Sequence, residues 1–287
     1  MKAEVFLKNV AVLGEGPLWD ERRGVLFFVD IEGKKLHCAT MNGADTCWDM
    51  PSRIGTVGLT QSDRLVVALE DGLYLFDPDS AALELFAPLE ADRPEVRGND
   101  GKPDPAGNMW QGTMPMTPDQ VGALYRVRPD GTAENIIDGL KCANGMGWSP
   151  DHKTMYFIDT PSKAVWAFDY DESTGSIANR RVVVDFAQAA PEEGGPDGMT
   201  VDAEGKLWVA QWGGGQVSRY DEITGEKLMK VEVPAPCTSC PTFGGENLDK
   251  LFISTAAFAK DKFPQAGSLF VANVGVRGMK ANRFAVR

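Results

Sequence analysis

The chain contains only two histidines, His37 and His152. That scarcity argues against a Ser-His-Asp triad or a histidine-ligated zinc. His37 lies in "KKLHCAT" and His152 in the turn "SPDHKT", so each reads as structural or exposed. No GxSxG, HExxH or GxxxxGK[ST] occurs, which removes the serine-hydrolase elbow, the zincin helix and the phosphate loop. "WGGGQV" at 212–217 is glycine-rich but precedes a strand, so it reads as a tight turn. No apolar run approaches the ~18 residues of a membrane helix. The opening "MKAEVFLKNVAVLGEG" shows no secretory apolar core. Basic residues are in deficit, 29 against 41 acidic, for a net charge of -12. Nucleic acid and anionic membranes are therefore disfavoured as partners. The five cysteines are an odd number, and with no leader they point to a reducing, cytoplasmic setting. Cys237 and Cys240 form a CxxC, but no second CxxC or thioredoxin-like pattern accompanies them. They read as two ordinary thiols near a strand start. Long helical periodicity is also missing, with "DFAQAAPEE" at 185–193 the one brief candidate.

What the chain has is repetition. A small-residue stretch, a polar turn and an apolar strand recur as "WDERRGVLFFVD", "TQSDRLVVAL", "PDPAGNMWQGTM", "WSPDHKTMYFIDT", "VDAEGKLWVAQW" and "TFGGENLDKLFIST". Anchored on Leu26, Leu65, Met109, Met155, Leu207 and Leu251, the copies are separated by 39, 44, 46, 52 and 44 residues. Periods of this length, with several short strands each, indicate an all-β fold, a six-bladed β-propeller. Most copies add a second alternating strand, as in "DGLYLFDP" and "GQVSRYDEITG". No linker or change of composition divides the chain, so one domain over residues 1–287 is expected.

Equivalent positions in a propeller face one another across the central channel. Aligning the small residue ahead of each apolar strand places Glu15, Val57, Asp100, Asn144, Asp197 and Cys240 in register. The contexts "GEGPLW", "ANGMGW" and "PDGMTV" share a lone oxygen-bearing side chain followed by glycine. Taken singly, each is ordinary turn chemistry. Taken together, Glu15, Asn144 and Asp197 form a hard-cation donor set at one end of the channel. The third copy, "VRGNDGKPDPAG", crowds Arg97, Asn99 and Asp100 at one strand entry. Alternation allows only one of Asn99 and Asp100 to face the channel, and the pattern leaves both choices open. Arg97 there could hold a ligand oxygen or pair with a surface acid.

"LGEGPLWD", "RGNDGKPDPAGNMWQGTM", "NGMGWSPDHKTMYFIDT" and "PDGMTVDAEGKLWVA" resemble, in order, the signature segments of the senescence marker protein/gluconolactonase (regucalcin) family. The likeness runs from about residue 12 through "PTFGGENLDKLFIST" and "AGSLF". The resemblance implies hydrolysis of a sugar lactone to its aldonic acid, with one divalent cation in the channel, whether Ca²⁺, Zn²⁺, Mn²⁺, Mg²⁺ or Fe²⁺. It assigns Glu15, Asn144 and Asp197 as metal ligands, Arg97 and Asn99 as substrate contacts, and Asp197 as general base. Between Asn99 and Asp100 it therefore selects Asn99. Thr117 and Gly147 depart from the acidic residues that animal members carry at those places, which bears on sugar preference and not on the ligands.

The expected partner is a small sugar lactone. Three rivals are a phosphotriesterase of the diisopropylfluorophosphatase kind, a calcium-binding regulatory protein and a propeller scaffold for protein partners. Aligned acids in the channel register argue against the scaffold, and fold alone does not separate the others.

Overall fold

The computed structural model describes residues 1–258 and 260–286. Its strands form six sheets arranged as the blades of a propeller, antiparallel apart from one short added strand. Five sheets have four strands and one has five. Blade 1 runs Gly14–Asp20, Val25–Asp30, Lys35–Thr40 and Asp45–Asp49, from the axis outward. The innermost strands of blades 2 to 6 are Thr56–Thr60, Val96–Pro103, Ala143–Trp148, Gly195–Val201 and Thr238–Gly244. The ring closes because the N-terminal strand Glu4–Leu7 completes blade 6 beside Leu269–Asn273. The short strand Arg283–Phe284 adds to the inner edge of blade 2, parallel to Leu59–Thr60.

The apolar runs that set the repeat are the second strands of the blades. Each is apolar throughout because both of its faces are covered. Leu26 and Phe28 pack toward blade 6, whereas Phe27 and Val29 pack toward blade 2. Trp208 likewise joins blade 6, and Leu207 and Val209 join blade 4. Six hydrophobic clusters result among the described residues, one for each interface between neighbouring blades. Burying such side chains contributes ~1.5–3 kcal/mol each.

The small-residue stretches ahead of those runs are themselves strands, the innermost of each blade, and not the strand entries that the sequence suggests. Their ends are capped by oxygen-bearing side chains in five blades. Asp20, Thr60, Asp104, Ser149 and Asp202 each accept a backbone N–H from the turn that follows. Asp104 and Asp202 also accept the indole N–H of Trp110 and Trp208, at 2.8 and 2.9 Å, which ties each turn to the core. The brief helical candidate at 185–193 contains a single 3₁₀ turn, Pro191–Glu193. Proline starts it, and Gly194, with φ of 75°, ends it.

Candidate active site

Glu15, Asn144 and Asp197 lie near the starts of the innermost strands of blades 1, 4 and 5. At each place the strand carries a β-bulge: the pairing register shifts between Glu15 and Leu18, between Ala143 and Met146, and between Pro196 and Met199. Blades 3 and 6 shift in the same way, between Gly98 and Gly101 and between Thr238 and Pro241. Blade 2, whose register residue is the apolar Val57, has no shift along its first pair of strands. A bulge twists the strand and re-aims a side chain, so the polar positions are the bulged ones.

The glycine after two of these residues is set by crowding at the axis. A Cβ on Gly145 would lie 2.7 Å from Asp197 O, and one on Gly198 would lie 2.7 Å from Ser239 O. Gly16 differs, since its φ of +50° is left-handed backbone. The repeated oxygen-then-glycine pattern is therefore close approach of neighbouring blades in two copies, and turn-like backbone only in the first.

Charge in this region is unbalanced. Asp197 is buried, and burial together with Glu15 and Asp100 raises its carboxyl well above the ordinary range. Glu15 keeps some exposed surface as a residue, yet the dense packing around its carboxyl, reinforced by Asp100, pushes it up to about 8. Asp100 is raised by burial too, although the N–H of Gly101 and the Lys102 ammonium act against that. Lys102 donates to the carbonyls of Met146 and Met199, at 3.0 and 2.6 Å, and so bridges blades 4 and 5 beside these acids.

Asn144 is buried with its Oδ1 lacking any partner, while Nδ2 donates to Thr160 Oγ1 at 3.0 Å. An orphaned buried carbonyl oxygen is costly. The same amide hydrogen-bonds the Asp197 carboxyl and acts against its upward shift, so Asn144 sits with Glu15 and Asp197 as a set of three oxygen-bearing side chains. Such a set fits a hard divalent cation. No three His, Cys, Asp or Glu side chains gather as a metal cluster among the described residues. A site here therefore depends on the Asn144 amide as its third donor.

Arg97 and Asn99 are both buried. Arg97 Nη1 donates to Gly98 O and to Asn99 Oδ1, each at 2.8 Å, and Asn99 Nδ2 donates to Ala143 O at 2.8 Å. Asn99 thus holds Arg97 and is fastened to blade 4. Asp100, the other candidate in that stretch, carries the charge felt by Glu15 and Asp197. The bulge between Gly98 and Gly101 is why simple alternation cannot assign these two residues.

The two histidines make their contacts with other residues. His37 stacks on Phe28 and contacts Asp45, and the exposed His152 contacts Glu172. Cys237 and Cys240 are free thiols raised chiefly by burial, and the buried Cys240 also feels the charges of Asp100, Glu15 and Asp197. Cys142 also borders these residues, with its Sγ 3.5 Å from Asn144 Nδ2. Burial and Asp197 push that thiol up to about 12, so it is neutral and not a nucleophile. Thr117 belongs to a tight turn closed by Gln120, and a Cβ on Gly147 would lie 2.8 Å from Val201 Cγ2. A cavity of about 400 Å³ runs from Trp19, Trp148 and Phe243 at the far end of the innermost strands to Gly16, Asp100 and Lys102 beside these acids.

Sequence reasoning missed the residues that hold the backbone ahead of Glu15 and Asn144. Asp30 and Asp159 close their second strands at the same point, in "FFVD" and "YFID", and that repetition was the available signal. Asp30 accepts the N–H groups of Val12 and Leu13 just ahead of Glu15. Asp159 accepts those of Lys141 and Cys142 just ahead of Asn144.

A six-bladed propeller with acids and an amide gathered at one mouth of its channel defines a class, and comparison narrows it. The family described as "SMP-30/Gluconolactonase/LRE-like region" matches residues 13–257, and the chain belongs to that family. Regucalcin of Xenopus laevis is 36% identical, the match covering 99% of each chain. A Bacillus subtilis protein named "Putative sugar lactone lactonase YvrE" is also 36% identical, over 96% of each chain. Among solved structures, a calcium-binding protein, regucalcin, of Agrobacterium tumefaciens superposes with a TM-score of 0.92 at 31% identity, covering 99% of this chain and 97% of that one.

Proposed function

We propose that the chain hydrolyses a sugar lactone to its aldonic acid at the Glu15 end of the channel, with one divalent cation held by Glu15, Asn144 and Asp197. The observation that carries this reading is the orphaned Asn144 Oδ1 beside two buried carboxylates of raised pKa. Membership of a family whose description includes gluconolactonase supports the substrate class.

When bound, the cation supplies Lewis acidity at the lactone carbonyl oxygen. Asp197 takes a proton from the attacking water, and that proton must then reach the ring oxygen that leaves. A cation on the carboxylate lowers its basicity. Asp197 is then a weak base, sufficient because a lactone is an activated ester. Arg97, steadied by Asn99, donates to a hydroxyl or carbonyl oxygen of the substrate and orients it.

The calcium-binding reading uses the same residues without turnover, and the relative described as calcium-binding favours keeping it. A screen of aldono-1,4- and 1,5-lactones by acid release, with and without chelator, separates the two. Chelator-sensitive hydrolysis of any of them supports the lactonase. Stoichiometric calcium binding with no hydrolysis of any lactone would favour the regulatory protein.

A further inference from the structure

We propose that the channel holds a second cation position, which the chain fills with its own Lys102 ammonium. Lys102 is thereby a positioning residue, a tethered cation that fixes the strands carrying Asn144 and Asp197. The inference goes beyond the lactonase reading and stands whether or not a metal binds at the Glu15 end.

The oxygens around this ammonium form a set that suits a small cation. Lys102 Nζ donates to Met146 O at 3.0 Å and to Met199 O at 2.6 Å, so it leaves its own blade to reach the next two. Main-chain carbonyls are hard, neutral donors that metal ions use as readily as ammonium groups do. Asp100, on the same strand as Lys102, is buried, and its Oδ2 has no partner. A buried carboxylate oxygen left over in this way needs positive charge nearby. Lys102 supplies it, and its charge is also felt by Glu15 and by the Cys240 thiol. One ammonium from blade 3 therefore acts on blades 1, 4, 5 and 6, which places it close to the axis.

The two carbonyls occupy matching places. In blade 4 the register slips after Ala143 and resumes at Met146, and in blade 5 it slips after Pro196 and resumes at Met199. Each accepting residue thus ends the bulge that carries Asn144 or Asp197. Lys102 itself follows Gly101, where the bulge of blade 3 ends. A bulge interrupts the ladder of its sheet, so its shape depends on the bonds made at its exit. Here one ammonium bonds the exits of two bulges and sets the distance between them. Charge-assisted bonds hold that distance more firmly than neutral ones.

Lys102→Ala removes the side chain beyond Cβ, and propylammonium supplies the missing atoms in free form. Lys102 lines the cavity of about 400 Å³, which gives that ion a way in. Melting curves of wild type and Lys102→Ala are compared with chelator present. The variant is expected to melt lower by roughly 5 °C or more, for two lost bonds to a charged group. Propylammonium should restore most of the loss along a saturating curve and leave wild type unshifted. Tetramethylammonium has the charge but no N–H, and 1-propanol has the size but no charge; each should restore little. Equal restoration by either would reduce Lys102 to screening or to filling space and overturn the proposal. No restoration by propylammonium would overturn it too. The positioning role is read from the NMR signals of the Asn144 NH₂, which should be displaced in Lys102→Ala and return with propylammonium. Signals that never move would contradict that role. Should the variant not fold, the wild-type ammonium decides instead. A distinct Lys102 NH₃⁺ signal with contacts to the Met146 and Met199 backbone supports the proposal, and one that exchanges as fast as exposed lysines overturns it. None of these readouts uses a lactone, so failure of the lactonase reading would leave them standing.

Discussion

Asp159 Oδ1 accepts the backbone N–H of Cys142 at 2.7 Å, two residues ahead of Asn144. Asp30 Oδ1 makes the equivalent bond to Leu13 at 2.9 Å, two residues ahead of Glu15. Each carboxylate sits at the end of a second strand and fixes the backbone just ahead of a proposed cation ligand.

Replacing Asp159 by Ala leaves the Lys141 and Cys142 N–H groups without their acceptor. The expected loss is about 1–3 kcal/mol of stability, with weaker cation binding because the approach to Asn144 loosens. Thermal unfolding and calcium titration check both parts. Unchanged values in each would show that the bonds hold nothing in place.

The buried carboxylates make the cation-free protein sensitive to pH. Glu15 titrates near 8 when folded, against an ordinary 4.5, and Asp197 is raised as well. The folded chain then binds more protons than the unfolded one, so stability falls as pH rises. It is full below the ordinary carboxylate range and declines up to about pH 8. Melting curves of chelated protein should therefore shift downward between pH 5 and pH 8, by roughly several degrees. Saturating cation should flatten that decline, and cation affinity should rise over the same interval, since binding displaces protons.

The architecture was legible because the second strands are apolar on both faces, and their spacing alone counts the blades. Phe27 and Phe28 serve different interfaces, so the run survives any choice of helix or strand period. The innermost strands were less legible. They are short, polar and glycine-containing, so "GEGP" and "PDGM" read as turns. Repeat phase still aligned Glu15, Asn144 and Asp197, because their bulges fall at matching places. Asn99 and Asp100 could not be told apart, since the bulge at Gly98–Gly101 cancels the alternation on which the choice depends.

Arg97→Ala should impair turnover while leaving cation content intact. Loss of one hydrogen bond to a charged group costs ~1.5–3 kcal/mol, roughly tenfold to a hundredfold in kcat/KM. Asn99→Ala should show a similar but smaller effect, because it steadies Arg97 and is held to blade 4. Metal analysis alongside kinetics checks the separation. Loss of the cation with kinetics restored by added metal would place these residues at the metal.

Asp197→Asn separates the two jobs assigned to that residue. The amide retains a carbonyl oxygen for the cation but takes no proton at neutral pH. At cation saturation the variant should bind and still hydrolyse lactone roughly 10²–10⁴-fold more slowly. A kcat near wild type under saturation would make Asp197 a ligand only.

The central claim is that one cation, held by Glu15, Asn144 and Asp197, is required for lactone hydrolysis. The most direct measurement adds Ca²⁺ or Mn²⁺ stepwise to chelated protein and follows the rate of acid release with the amount bound. The account predicts a rate that rises in proportion to bound cation and levels at one equivalent per chain, with Glu15→Gln requiring far more cation to reach any rate. Full hydrolysis by the chelated protein, or a rate indifferent to bound cation, would contradict it.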